Sequence, residues 1–382
     1  MTGTLVTAAH RLPGARGGCA RETPLVSATI GQSAHGRDNN FNLVRLLAAG
    51  CVLLSHSWPL SGTPGEPFER FANFSLGHFG VDIFFVVSGF LVTGSLFARG
   101  TLRSFVRARS LRIFPALTAS AFGAALVIGP LVTRLPLATY LASPLTWLYA
   151  LLNSTTWPWG VVWQLPGVFP GNPGGDAVNG ALWSLPWELT MYAMLVGIGA
   201  LALRSRPLLG ARGVRVVVFG IALLSTLGHG LNEGADLSRA FRVVQGLRLV
   251  ALFFTGASLH LLRDRVPLKG SWFAVALAAL VAALRWQGYA LVAYPLLLSY
   301  AVLWLALVPG GAVRAYNRLG DYSYGFYLWQ FPIQQWIVFT HRGISQPLLL
   351  LASLPAALAI AVASWHLIER PALALKERTR RR

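Results

Sequence analysis

This sequence predicts an all-α chain, a polytopic transmembrane helical bundle of about ten spans with one short re-entrant or interfacial segment. Three observations predict it. Of 382 residues, 54% are hydrophobic and only 12% charged, which excludes an ordinary soluble domain and a disordered chain. Apolar runs of about 20 residues recur along almost the whole length, as helices that cross hydrocarbon require. The 32 Lys and Arg, with a formal net charge of +19, gather between those runs. The basic clusters are Arg99 to Arg112, Arg204 to Arg215, Arg263 to Lys269, Arg314 with Arg318, and the closing "KERTRRR". Short basic loops at every second crossing follow the positive-inside rule. The charge therefore points to the anionic face of a bilayer, not to nucleic acid.

Residues 1–40 are rich in Gly, Ala, Arg and Ser and lack a continuous apolar h-region, so they read as a flexible cytoplasmic tail and not as a signal peptide. The membrane domain follows over 41–371, and residues 372–382 form a basic cytoplasmic tail. Spans fall at about 41–60, 79–98, 114–133, 181–203, 214–230, 243–262, 271–285, 289–309, 322–340 and 347–368. The apolar segment 137–152 is short and flanked or broken by Pro136 and Pro144. If the basic loops on either side of this region share one face of the membrane, an even number of crossings separates them. The spans at 114–133 and 181–203 already supply two, which leaves 137–152 re-entrant or interfacial and both termini inside. Cys19 and Cys51 are the two cysteines; their places predict no disulfide, and no Cys/His spacing suggests a metal.

The first span opens with "RLLAAGCVLLSH", residues 45 to 56. Eleven residues at about 100° each make three turns and roughly 20°, so Arg45 and His56 project from one face, about 16 Å apart. Ionisable side chains inside a span are costly and by default line a cavity or find a partner. The second span, "FGVDIFFVVSGFLVTGSLF", carries Asp82 and Ser88 as polar islands, while Gly80, Gly89 and Gly94 permit close helix contact. Asp82 is either solvated near a span end or turned to a polar cavity. The loop "RSFVRARSLRIFPA" presents Arg103, Arg107, Arg109 and Arg112 and no lysine. Positive-inside charge explains it in part; the arginine fork also suits a phosphorylated, nucleotide-like ligand. "ALWSLPWELTMYAM" brings Glu188 into the start of a span, where a carboxylate must be paired, protonated or solvated. Its depth is compatible with contact to His56.

The longest predicted outside loop, residues 153 to 180, places Trp157, Trp159 and Trp163 among Pro, Gly and Asn. They suit an aromatic belt at headgroup level, or a stacking platform for a sugar ring. Histidine is the side chain best matched to moving a proton at neutral pH. On these residues alone two classes stay open: a transferase working within the membrane, and a transporter or flippase for a glycan or lipid-linked sugar with a His56 proton relay.

Six stretches in order resemble the acyltransferase 3 family of membrane acyltransferases: Arg45 with His56, "FGVDIFFVVSGFL", "RSLRIFP", "LWSLPWELTMY", "GDYSYGFYLWQFP" at 320–332 and "ERP" at 369–371. The resemblance runs from about Phe41 to Pro371. Members of that family acylate bacterial O-antigens, exopolysaccharides, peptidoglycan, Nod factors and some antibiotics. It implies a multi-pass protein of the bacterial inner membrane that transfers an acetyl or short acyl group from acyl-CoA, with acetyl-CoA the expected donor, to a carbohydrate or glycolipid hydroxyl. It implies His56 in acyl transfer, Arg45 in placing the donor, and Arg109 and Arg112 as the family's arginine pair. Glu188 falls on the glutamate of the "WSL…E…FY" stretch, with Met191 where Phe is usual. Glu188 or Asp82 is expected to orient His56. Trp183, Ser184, Trp157 and Trp159 are the acceptor-binding candidates. Gln330 stands where relatives often carry His, and a glutamine there can bond but not titrate.

Overall fold

The computed structural model describes residues 28–34, 36, 38–98, 101–156, 160–204, 206–235, 241–286 and 290–378. Ten long helices organise it: α1 Phe41–Leu60, α2 Leu76–Ala98, α3 Leu102–Gly123, α4 Leu185–Arg204, α5 Arg206–Ala235, α6 Phe241–Leu261, α7 Gly270–Arg285, α8 Ala290–Leu307, α9 Ser323–Thr340 and α10 Gln346–Ser364. Each overlaps a predicted span, but α3 begins at Leu102, so most of the stretch 99–112 expected as a loop is the first three turns of a helix that runs on into the span expected at 114–133. Seven candidate spans are long and apolar enough to cross a membrane among the described residues. An eighth is reached if α8 and the segment Ala312–Arg318, bent from it by 87°, count as one. The expected ten are thus ten helices, not ten qualifying spans. At 16 residues α7 is short, and α9 is diluted by Gln330, Gln334 and Gln335, all buried. A helix inside the bundle can carry such amides because protein, not lipid, surrounds them.

Segment 137–152 forms two short helices, Leu137–Ala142 and Pro144–Asn153, neither long enough to cross. They brace a π-helical turn, Ala124–Ile128, which carries α3 on to Val132. Buried Tyr140 donates its hydroxyl to the Ala125 carbonyl at 2.6 Å, satisfying a backbone group within that turn.

Glycine sets how closely the central helices approach. A Cβ at Gly80 would lie 2.4 Å from the Ala48 carbonyl oxygen of α1, and one at Gly89 only 1.9 Å from the Phe253 carbonyl oxygen of α6. Helix α2 is thereby wedged between α1 and α6. The start of α1 is tied down by Asn40, whose amide donates to the carbonyls of Leu305 (3.2 Å) and Pro309 (2.8 Å) at the end of α8. The start of α2 is held by buried Glu66, which accepts from Leu76 N at 2.7 Å and from the Ser55 hydroxyl of α1 at 2.8 Å.

The described part of the 153–180 loop is folded onto the bundle. Gln335 of α9 donates to the carbonyls of Gly175 (2.9 Å) and Ala177 (2.8 Å), and Asn172 donates to Gln335 Oε1 at 2.7 Å. Gly174 lies against Leu60 and Pro59 at the end of α1, one turn beyond His56. Trp157 and Trp159 lie outside the described residues.

Candidate active site

Four charged side chains converge from four parts of the chain. Arg45 of α1 pairs with Asp321, immediately before α9. Arg112 of α3 donates to Asp321 at 2.5 Å and to Glu369 at 3.1 Å. Glu369 also accepts from the Ser364 hydroxyl at 3.0 Å. Arg112 lies over the Tyr324 ring and Arg45 over Phe84, 5.6 and 5.7 Å from the ring centres. Burial works against the charge on Asp321, but Arg112, Arg45 and the Ser323 hydroxyl outweigh it and hold the carboxyl below the usual carboxylate range. The clamp locks α1, α3, α9 and the segment after α10 together.

Two adjoining cavities open above this clamp. One, of about 420 Å³, is lined by Arg45, Val81, Phe84, Phe85, Ser88, Ser184, Leu185, Glu188, Tyr324 and Tyr327. The other, of about 400 Å³, lies toward the Arg-rich end and adds Arg109, Arg112 and Tyr192. They share Arg45, Ser88, Glu188 and Tyr324, so the two lie side by side and together outline a passage. On α2 the lining residues Val81, Phe84, Phe85 and Ser88 follow the spacing of a single helical face. Glu188 is held in the passage by the Tyr192 hydroxyl at 2.5 Å and by Ser88 at 3.4 Å. Arg109 has no carboxylate partner among the described residues, and its Nε is buried without a hydrogen bond.

Ser184 and Tyr327 line the cavity that does not reach Arg109 and Arg112; their hydroxyls lie 2.7 Å apart, Tyr327 donating in turn to the Ala181 carbonyl at 2.7 Å. One turn further along α9 stand the partners of His56. Its Nδ1 is 3.1 Å from Gln330 Nε2 and 3.3 Å from Oε1, and its ring meets Phe331 edge-on at 4.9 Å. His56 lines neither of the two cavities. It stands three turns of α1 from Arg45.

Several expectations change here. Neither Glu188 nor Asp82 bonds to His56 among the described residues; Gln330 is its partner. The reason for Asp82 is rotational. It lies six residues before Ser88, about 240° around α2, so it faces away from the passage. There it forms a buried pair with Arg248 of α6 (3.6 Å) and accepts from the Tyr294 hydroxyl of α8 at 2.7 Å. Ser184 does reach the passage, and Trp183 meets His78 edge-on at 5.5 Å. The structure also brings in residues that were not picked as site candidates: Asp321, Glu369, Tyr324, Tyr192 and His78. The first two sit in the "GDY" and "ERP" stretches. The rule that a charge within a span finds a partner, applied to Arg45, was the signal available for Asp321; Glu369 pairs with Arg112, which the sequence placed in a loop.

Comparison with known proteins shows the family. Residues 38–366 match the family model described as Acyltransferase domain, Acyl_transf_3. An O-acetyl transferase of Shigella phage Sf6 is 28% identical over 353 residues, covering 87% of this chain and 96% of the phage protein. Nodulation protein 10 of Rhizobium leguminosarum bv. viciae is 29% identical over 374 residues, 90% of this chain and 96% of that protein. No solved structure matches.

Proposed function

Because the chain belongs to the acyltransferase 3 family, we propose that this membrane O-acyltransferase moves an acetyl or other short acyl group from cytoplasmic acyl-CoA to a carbohydrate hydroxyl of a cell-surface polysaccharide or glycolipid. The reading places the protein in the bacterial inner membrane with both termini in the cytoplasm. The observation that carries it is the pair of adjoining cavities that leads from Arg109 and Arg112, past Arg45 and Glu188, to Ser184 and Tyr327, one turn of α9 before His56's partner Gln330. The donor's phosphates bind at the Arg-rich mouth, with unpaired Arg109 as the first contact, and arginine forks suit such groups. The pantetheine arm lies in the passage beside Arg45, and the thioester points past Ser184 and Tyr327 toward His56. His56 takes the proton of the acceptor hydroxyl as general base, worth about 10²- to 10⁴-fold in rate. The acceptor enters from the opposite end, beside Trp183, with Trp157 and Trp159 of the 153–180 loop as its proposed stacking partners. The printed name of the phage relative, an O-acetyl transferase, supports acetyl as the group moved.

Purified protein given labelled acetyl-CoA tests this. Thioester turnover is expected to fall by about 10²- to 10⁴-fold in His56→Ala, and undiminished turnover in that variant would defeat the assignment. Mass spectrometry of cell-surface glycans with and without the gene identifies the acceptor; no lost acyl mass on any glycan would refute the carbohydrate reading.

A further inference from the structure

Three glutamines of α9 are fully buried, and two of them are anchored. Gln334 donates to the Leu53 carbonyl at 3.1 Å and to Ser353 at 3.3 Å. Gln335 uses both ends of its amide on the loop and Asn172. Gln330 differs. Its hydrogen bonding among the described residues is to His56 alone, with Oε1 at 3.3 Å and Nε2 at 3.1 Å from the same Nδ1. Among the described residues nothing else ties its amide to one orientation, so either end can face the imidazole.

Which end faces it decides what His56 can do. An imidazole accepts a hydroxyl proton only through a nitrogen that carries its lone pair. For Nε2 to be that nitrogen, Nδ1 must hold the hydrogen and needs an acceptor. We infer that Gln330 is a positioning residue for the acyl transfer: its Oε1 accepts the Nδ1 hydrogen of His56, holding the tautomer whose Nε2 is free to take the acceptor's proton. Phe331, edge-on to the ring at 4.9 Å, keeps the imidazole plane in place. A carboxylate would fix the same tautomer but would bury another charge; the amide does it without one. The inference rests on the reading of His56 as base.

The step balances as follows. The hydroxyl proton passes to Nε2 as the hydroxyl oxygen bonds to the thioester carbonyl carbon. The carbon–sulfur bond then breaks, and the sulfur leaves with the proton returned from Nε2, giving an ester and a free thiol. Throughout, the hydrogen stays on Nδ1 and is donated to Oε1, so Gln330 makes the same bond to neutral and protonated imidazole.

The test uses the full chain in detergent with ¹⁵N-labelled histidine, the His56 signals assigned by their loss in His56→Gln. Wild-type protein is expected to show His56 protonated at Nδ1. Gln330→Met, similar in length but without a hydrogen bond to offer, is expected to lose that preference. Its kcat with acetyl-CoA is expected to fall about 10- to 100-fold, while KM for the donor stays within about twofold. Gln330→Glu, nearly isosteric and an acceptor, is expected to keep the Nδ1 hydrogen and to turn over faster than the Met variant. A wild-type His56 protonated at Nε2 would overturn the proposal. So would unchanged spectra and kcat in Gln330→Met, or no advantage of Glu over Met. Turnover retained in His56→Gln would instead overturn the base reading, a result independent of the tautomer spectra.

Discussion

Replacing Asp321 with Asn removes the one carboxylate that Arg45 and Arg112 share, at unchanged size. Arg45, Arg112 and Asp321 side chains are only 17%, 13% and 11% exposed, so solvent replaces little of what is lost. Two unit charges about 4 Å apart attract by about 4 kcal/mol at an effective dielectric of about 20, before the cost of burying them. Removing one partner from a buried pair costs about 3–5 kcal/mol, largely because a charge is left uncompensated. Arg112 keeps Glu369 at 3.1 Å, whereas Arg45 keeps no carboxylate, which places the expected loss near about 3 kcal/mol. Thermal unfolding of purified Asp321→Asn measures it, and the cycle with Arg45→Met isolates the pair. Removing the stranded arginine as well should recover about 1 kcal/mol or more. A variant within about 0.5 kcal/mol of wild type, or strictly additive double-mutant losses, would refute the clamp. The pH dependence has a fixed sign. The carboxyl of folded Asp321 lies below its ordinary range, so its stabilisation is complete above the unfolded value near about 4. It is lost as the pH falls through the folded value.

Arg109→Gln should weaken acetyl-CoA binding by about tenfold or more, the scale of one charge-assisted hydrogen bond, and leave the melting temperature unchanged because no ion pair is broken. Calorimetric titration with the donor checks it, and Arg112→Gln should show the converse, a loss of stability. Gly89→Ala forces a methyl group to 1.9 Å from the Phe253 carbonyl oxygen; overpacking of this kind costs about 1–3 kcal/mol, read by thermal unfolding. Gln335→Leu cuts the bonds that pin Gly175, Ala177 and Asn172 to α9. Limited proteolysis should then cleave within residues 160–178 sooner than in wild type, and equal cleavage rates would show that the loop is held by other contacts.

Much of the fold was legible because it follows from local rules. Runs of apolar residues placed the ten helices, except that α3 starts at Leu102, inside the arginine cluster expected to be a loop. Pro136 and Pro144 marked 137–152 as something other than a span, and it is two short helices. Glycines at 80 and 89 announced close helix contact and supply it. The span count was less legible, since a helix enclosed by protein can carry three glutamines and need not look like membrane helix at all.

The sequence by itself determined the class of the molecule and the chemistry it carries: helices long enough for a bilayer, an imidazole and a guanidinium three turns apart on one of them, and an arginine-rich end. Only the tertiary structure decided which side chains pair. A carboxylate's partner depends on the rotation of its helix and on what lies across from it, neither of which periodicity along one chain encodes. So Asp82, six residues from a lining position, turns to Arg248. Asp321 and Glu369, far from Arg45 and Arg112 in sequence, hold both. His56 meets the amide of Gln330, 274 residues away.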